Sequence, residues 1–459
     1  MKTRQYIFKW FISTLLGLLF LTGCAPYSMK EVRLAFEEGN FEGALLHLDE
    51  GNSKEKSKLP YLFERGLIAH YANRFEESNQ AFEIAEITAE DLYTKSISRE
   101  ALSLLTSDNL RPYAGTRYER LLVHYYRALN YVYLNLPDEA LVECRRAGKL
   151  IEYYSDKDEK YNFVGGAFLA YLSGILYEWT GDINDAYISY RWAETGYQRY
   201  EKELGVPVPE DLGDALVRLA RMLGFDDEAQ RYAELYGEPT PAPPDSGELI
   251  IIYESGFAPQ KVEENLVLPI LKTDPLDFED ESDEVWDFAD TVVQRQNLQY
   301  EEVELEYLLR VAIPKYTSNR PLFSGVKAEV NNRKVHGILV EDVEGAALTT
   351  FDSEQATILL RTTVRALLKY LGFRRANKEG KLLGRLVNLV NVVTEGADTR
   401  SWETLPNQIF IVRMSLPAGI HDVKLSFLDD SNRPIGTETL QRVEIYANGK
   451  TFLNHRTFD

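Results

Sequence analysis
The chain changes its hydrophobic period twice. Apolar residues dominate from Ile7 to Leu21, behind the cations Lys2, Arg4 and Lys9. From near Met29 to residue 236 they recur at helical spacing, the mark of helices with one buried face. Beyond residue 247 the spacing drops towards two, the pleat period of a strand. Between these regions lies Gly237-Glu238-Pro239-Thr240-Pro241-Ala242-Pro243-Pro244. It cannot be helical, because proline removes donors and clashes with the preceding turn. The pattern predicts a two-domain α+β protein: a leader at 1–23, an all-α repeat domain at 24–236, a Pro-rich linker at 237–247, and a domain at 248–459 built on a mostly antiparallel sheet with two helices.

In the helical half one turn motif recurs. Gly39-Asn40-Phe41-Glu42-Gly43-Ala44 and Asn73-Arg74-Phe75-Glu76-Glu77-Ser78 lie 34 residues apart. Asn135 to Ala140, Gly181 to Ala186 and, more weakly, Gly224 to Ala229 repeat it at longer intervals. Each reads as a tight interhelical turn followed by a small residue. Twelve residues before Ser78, Ala140 and Ala186 sit Gly66, Ala128 and Gly174. Small residues at both places let two antiparallel helices approach closely. The pattern resembles the tetratricopeptide repeat, whose helix pairs stack into a solenoid with a concave groove. That resemblance implies concave-facing positions at Phe63, Leu67 and His70, then Tyr125, Leu129 and Val132, then Tyr171, Ile175 and Glu178. Either these line an aromatic groove for a partner segment, or they are core under neighbouring helices or the second domain.

In the second half, strands are predicted at Leu249–Tyr253, Tyr307–Ile313, Val326–Val330, Val335–Val340, Ile409–Leu416, Val423–Leu428, Val443–Tyr446 and Thr451–Leu453. Asn331-Asn332 signals a hairpin, and Asn448-Gly449 a type I′ turn. Helices are predicted from about Ser353 to Leu371, capped by Asp352, and from about Lys381 to Val393.

The opening segment carries its own chemistry. A positive start, a short apolar core and Leu21-Thr22-Gly23-Cys24 form a secretory leader whose end resembles the bacterial lipobox. That implies a palmitate-type acyl anchor on Cys24. Two or more acyl chains hold a protein on a membrane stably, so the lipid membrane is one expected partner. Ala25 in place of an Asp favours the periplasmic face of an outer membrane. Removing the leader takes the formal charge from -21 to -24, which excludes nucleic-acid binding by phosphate neutralisation. With Cys24 acylated, Cys144 stands alone and no intrachain disulfide forms.

Tyr118-Glu119-Arg120-Leu121-Leu122-Val123-His124-Tyr125-Tyr126, Gly174-Ile175-Leu176-Tyr177-Glu178, and Ala397-Asp398-Thr399-Arg400-Ser401-Trp402 with Leu405-Pro406 resemble a family of tetratricopeptide-repeat-containing lipoproteins of Gram-negative bacteria. The likeness covers nearly the whole mature chain. It implies the architecture, and no activity or catalytic residues.

Candidate chemistry is sparse. No Gly-x-Ser-x-Gly elbow, phosphate-binding Gly-x-x-x-x-Gly-Lys or His-Glu-x-x-His occurs, and the six histidines show no ligand spacing. No metal or cofactor is expected. Acidic residues from Asp274 to Glu284 read as a solvated loop. Asp398 and Arg400 read as a pair fixing a corner, with Trp402 buried. Arg361, Arg365, Lys369, Arg374 and Arg375 form a basic stretch. It is either one face of a core helix or a contact for anionic lipid or an acidic partner. The expected function is a non-enzymatic adaptor that binds an envelope protein or peptide. The alternative is an envelope hydrolase or cell-wall enzyme with its site in the C-terminal domain.

Overall fold
A computed structural model describes residues 29–51, 58–98, 112–157, 166–276, 283–295, 304–318, 320–379 and 396–458. The leader with Cys24 and the helix predicted at 381–393 lie outside them. Among the described residues ten helices pair off along the first half: α1 Lys30–Glu37 with α2 Phe41–Gly51, α3 Lys58–Tyr71 with α4 Phe75–Ser98, α5 Arg117–Tyr133 with α6 Pro137–Lys157, α7 Gly166–Thr180 with α8 Ile183–Leu204, and α9 Glu210–Leu223 with α10 Asp226–Tyr236. Each pair is joined at a residue in the left-handed region: Gly39, Asn73, Asn135, Gly181 and Gly224. That conformation suits Gly and Asn and ends the first helix. The small positions do what their spacing predicts. A Cβ added at Gly66 would lie 2.5 Å from the Phe82 ring, and one at Gly174 would lie 2.4 Å from Tyr190. Ser78 donates to the Gly66 carbonyl across the pair, at 2.6 Å. Among the described residues no helix is long and apolar enough to cross a membrane.

The second half holds β1 Ser246–Ser255, β2 Gln260–Leu271, α11 Asp283–Gln294, β3 Leu305–Thr317, β4 Gly325–Val330, β5 Arg333–His336, β6 Ile338–Asp342, α12 Val343–Glu379, β7 Gln408–Pro417, β8 Gly419–Leu428, β9 Pro434–Ile445 and β10 Lys450–Thr457. Two four-stranded sheets, β10-β1-β7-β6 and β5-β4-β8-β9, share a core that includes Leu249, Ile251, Tyr253, Phe410, Val412, Leu425 and Phe427. The β2-β3 pair packs on α11 and the second half of α12.

Strand β1 explains how the halves join. Its odd residues Leu249, Ile251 and Tyr253 enter the sandwich. Its even residues Ile250 and Ile252 enter the core of the helical half, together with Ile409, Ile411, Trp402 and Phe452. A strand buried on both faces reads as a continuous apolar run, and Leu249–Tyr253 is one.

Several predicted elements need correction. Asn331 and Asn332 make the expected turn, both with positive φ. The strand predicted from Val335 to Val340, however, breaks at Gly337. There a Cβ would lie 2.5 Å from Val326, and β5 and β6 part into different sheets. Asn448-Gly449 turns the chain but makes no hairpin, because β10 leaves β9's sheet and runs parallel to β1. Helix α12 starts at Val343, not beside Asp352. Asp342 Oδ1 accepts the Gly345 N–H at 2.9 Å, and the weak helix former Gly345 hides this start from a reading by propensity. Of the acidic stretch, residues 277–282 lie outside the described residues, and its two ends are structured. Asp274 holds Arg295 through two bonds of 2.7 and 2.8 Å, and Glu284 belongs to α11.

Candidate functional site
The concave face of the repeat carries a buried polar network, and this chain's own β half fills it. Helices α3, α5 and α7 supply one side. Strands β1, β7 and β10 and the segment around Trp402 supply the other. All nine predicted groove residues lie here; eight are buried and Glu178 is half-buried with its side chain 6% exposed, which corrects the open-groove expectation for Phe63, Leu67, His70, Tyr125, Leu129, Val132, Tyr171, Ile175 and Glu178. The aromatic recurrence is real, but its partner is intramolecular. Phe63 stacks on Trp402 with ring centres 4.8 Å apart. The Tyr125 hydroxyl donates to Glu254 at 2.7 Å. The Tyr171 hydroxyl accepts from Arg413 at 3.4 Å.

Several carboxyl groups on this seam are met mainly by uncharged donors; Glu119 of α5 accepts the Thr116 and Trp402 N–H groups, both at 2.7 Å. Glu254, at the inward end of β1, accepts from the hydroxyls of Tyr71, Tyr125 and Tyr126. Burial pushes its carboxyl up to about 8, against the opposing pull of Arg456. Glu64 accepts the Glu403 N–H at 2.7 Å and the Thr404 hydroxyl, and burial raises it to about 8 as well. Glu341, bonded by the Tyr200 hydroxyl at 3.0 Å, is raised to about 8 for the same reason. His70 lies between Asn130 and Asn454, and burial lowers it to about 4.

A second group on the seam is ionic. Arg413 reaches Glu248 at 2.6 Å and Glu178 at 3.3 Å, and Lys450 bridges the same two carboxylates. Burial alone would raise Glu178, but Lys450, Arg413 and Arg218 outweigh it and hold the group at about 2.

Elsewhere, Glu86, His124 and Glu143 bring three possible ligand atoms within 4.8 Å of one another. Arg127 already bonds Glu86 at 2.6 Å and Glu143 at 3.1 Å, and Arg146 reaches Glu86 at 3.2 Å. Guanidinium charge thus occupies the place a metal ion would take. Cys144 is free and buried, and burial pushes its thiol up to about 11, so little reactive thiolate forms at neutral pH.

The basic stretch is not a uniform surface. Arg365 is 1% exposed, Arg374 binds Glu306 at 3.0 Å, Arg361 and Lys369 are half-buried, and Arg375 is exposed. The Asp398–Arg400 corner is present, with a bond of 2.8 Å, and Trp402 is buried behind it. Sequence reasoning missed Glu64, Glu119, Glu254, Arg413 and Arg456. Two of them left a signal. Glu254 continues the inward register of Ile250 and Ile252, and Thr116-x-x-Glu119 is a capping box.

No family model matches this chain, and no curated protein does. Among solved structures it is similar to MamA (12% identity, TM-score 0.29, 45% of this chain and 92% of that one). It is also similar to a Podosopora anserina putative kinesin light chain with nearly identical TPR-like repeats (13%, 0.31, 46% and 93%). A third is aspartyl phosphate phosphatase F from Bacillus subtilis (14%, 0.32, 47% and 50%).

Proposed function
We propose that the protein is a non-enzymatic scaffold held by acylated Cys24 on the periplasmic face of the outer membrane, and that it binds an envelope protein with its outer surfaces. The observation that carries this reading is the filled concave face. The repeat clasps its own β half, so a partner has the outer helices and exposed strands to meet. Leu46, Ile87 and Leu308 are large apolar residues exposed there. The hydrolase alternative needs an unengaged acid–base or metal cluster, and the Glu86–His124–Glu143 group is already held by arginines.

Cys24→Ser is expected to release the protein from membranes, read by fractionation of envelopes washed in high salt. Sedimentation with the outer membrane would refute a sole anchor. Photo-crosslinkers at positions 46, 87 and 308 in intact envelopes are expected to trap one recurrent envelope protein. Absence of any adduct, together with release of fragments from cell-wall material by the purified chain, would favour the hydrolase.

A further inference from the structure
The outer face of the repeat, built from the second helix of each pair, reverses its charge partway along. Five residues beyond the small residue that follows each turn stand Asp49, Glu83, Arg145, Arg191 and Glu234, all exposed. One structural position is thus acidic in α2, α4 and α10 and basic in α6 and α8. The neighbouring positions sharpen the contrast. From residue 83 to 91 the exposed charges of α4 are Glu83, Glu90 and Asp91. From 145 to 152 those of α6 are Arg145, Arg146, Lys149 and the single acid Glu152. From 191 to 199 those of α8 are Arg191 and Arg199, with no acid. Arg145 of α6 and Trp192 and Arg199 of α8 line one trench across α7, so the two helices present these side chains on the same side.

Most of these cations are not neutralised by the chain itself. Arg146 is, through Glu86 at 3.2 Å. Arg145 bonds the Tyr177 hydroxyl, at 3.4 Å, and Arg191 comes no closer to Glu228 than 4.0 Å. Lys149 and Arg199 make no ion pair among the described residues. The reversal is local in a chain of charge -21. Salt screens exposed charge over about 8 Å, so an anionic object laid on this face meets its cations rather than the acids elsewhere.

The side chains between the cations are apolar or amphipathic. Val142 and Ile188, both two residues beyond the small residue, are exposed, as is Tyr153, and Trp192 is 70% exposed. Cations set among Trp, Tyr and aliphatic side chains are what a surface at a bilayer's headgroups carries. The cations are spread over two helices and do not converge on one point, which suits a plane of headgroups and not one small anion.

We propose that the outer face of α6 and α8 lies on an anionic phospholipid surface, with Trp192 at the level of the headgroups. The contact rests on the Cys24 anchor proposed above, which keeps this face within reach of a bilayer; the cations then decide which side of the repeat turns to it.

The test places a benzophenone amino acid at position 192 of the acylated chain, in nanodiscs of phosphatidylcholine with or without phosphatidylglycerol. Position 235 is the control, since exposed Leu235 of α10 is the repeat equivalent of Trp192. Lipid adducts, read by mass spectrometry, are expected at 192 with phosphatidylglycerol present. They should fall about 10-fold on phosphatidylcholine alone or in high salt, and stay few at 235 throughout. Arg145→Glu with Arg191→Glu should also cut them about 10-fold at unchanged Tm, whereas Arg145→Lys with Arg191→Lys should keep them. Equal labelling at 192 and 235, or labelling at 192 indifferent to phosphatidylglycerol and to the glutamates, would overturn the contact. So would an acidic protein trapped at 192 in intact envelopes without lipid adducts. Intact mass of the same sample reads the anchor separately. If the chain carries no acyl group, the anchor fails, and sedimentation with phosphatidylglycerol vesicles still decides the face: binding lost in the glutamate variant supports it, and no binding overturns it.

Discussion

Glu254 and Glu178 are both glutamates buried on the same seam, yet their environments drive them to opposite protonation states. Around Glu254 the neighbours are mainly hydroxyls, and burial pushes the carboxyl up to about 8. Around Glu178, Lys450, Arg413 and Arg218 overcome the same burial and hold it at about 2. Burial alone therefore does not determine how a carboxyl behaves; the charge of its partners does. The seam uses both solutions. At Glu64, Glu254 and Glu341 the burial of charge is avoided, and at Glu178 and Glu248 it is compensated.

The largest expected effect comes from breaking both regions at once. Tyr125→Ala with Tyr171→Ala removes one buried ring from each. Truncating a buried aromatic costs about 3–5 kcal/mol, so the double variant should unfold at a much lower denaturant midpoint. An unchanged midpoint would mean the rings are not core.

Next comes a contrast of single changes. Arg413→Ala leaves Glu178 and Glu248 short of countercharge, and breaking a buried pair typically costs about 3–5 kcal/mol. Glu254→Gln replaces a protonated acid with an amide of the same shape and should cost no more than about 1 kcal/mol. Urea denaturation of the two variants checks the comparison. Equal losses would show that Glu254 is ionised at neutral pH.

Smaller for each group than the loss of Arg413 is an effect of pH. The folded chain keeps protons on Glu64, Glu254 and Glu341 up to about 8, whereas an ordinary glutamate releases them near 4.5. Folding therefore retains protons, and these groups' contribution to stability falls as pH rises from 4.5 to 8. His70 acts oppositely over a lower range. Its contribution is complete above 6.5 and is lost as pH falls towards 4. Glu178 loses its contribution only as pH falls from 4.5 towards 2. Between pH 6.5 and 8 the three raised carboxyls dominate among these groups, and each should subtract roughly 1–2 kcal/mol. Denaturation midpoints should fall across that window, and Glu254→Gln should flatten the slope. A rise would reverse the assignment.

Much of the architecture was legible because it rests on local rules. Gly39, Asn73, Asn135, Gly181 and Gly224 mark turns through their own backbone preference, and the apolar alternation located most strands. The seam was less legible. The periodic helix faces showed that Phe63, Tyr125 and Tyr171 face one side. Nothing in the chain near them says that Trp402, Glu254 and Arg413, more than 120 residues away, cover that side. The same limit hid the break in the Val335–Val340 strand, since it depends on what packs against Gly337. The Asp398–Arg400 corner was readable because its partners are two residues apart.

The two ends of the described chain meet. Phe458 lies against Phe36 of α1, with ring centres 5.3 Å apart, and against Phe257 at 5.1 Å. The Arg456 guanidinium lies over the rings of Phe36, Tyr71, Phe257 and Phe458. Strand β10 then runs beside β1 from Ser255↔Thr457 to Glu248↔Lys450. A mechanical pull on α1 would thus load this parallel ladder lengthwise, in shear, as well as the stacked helix pairs. The last strand acts as a tie rod, and the repeat cannot be drawn out pair by pair until that rod slips.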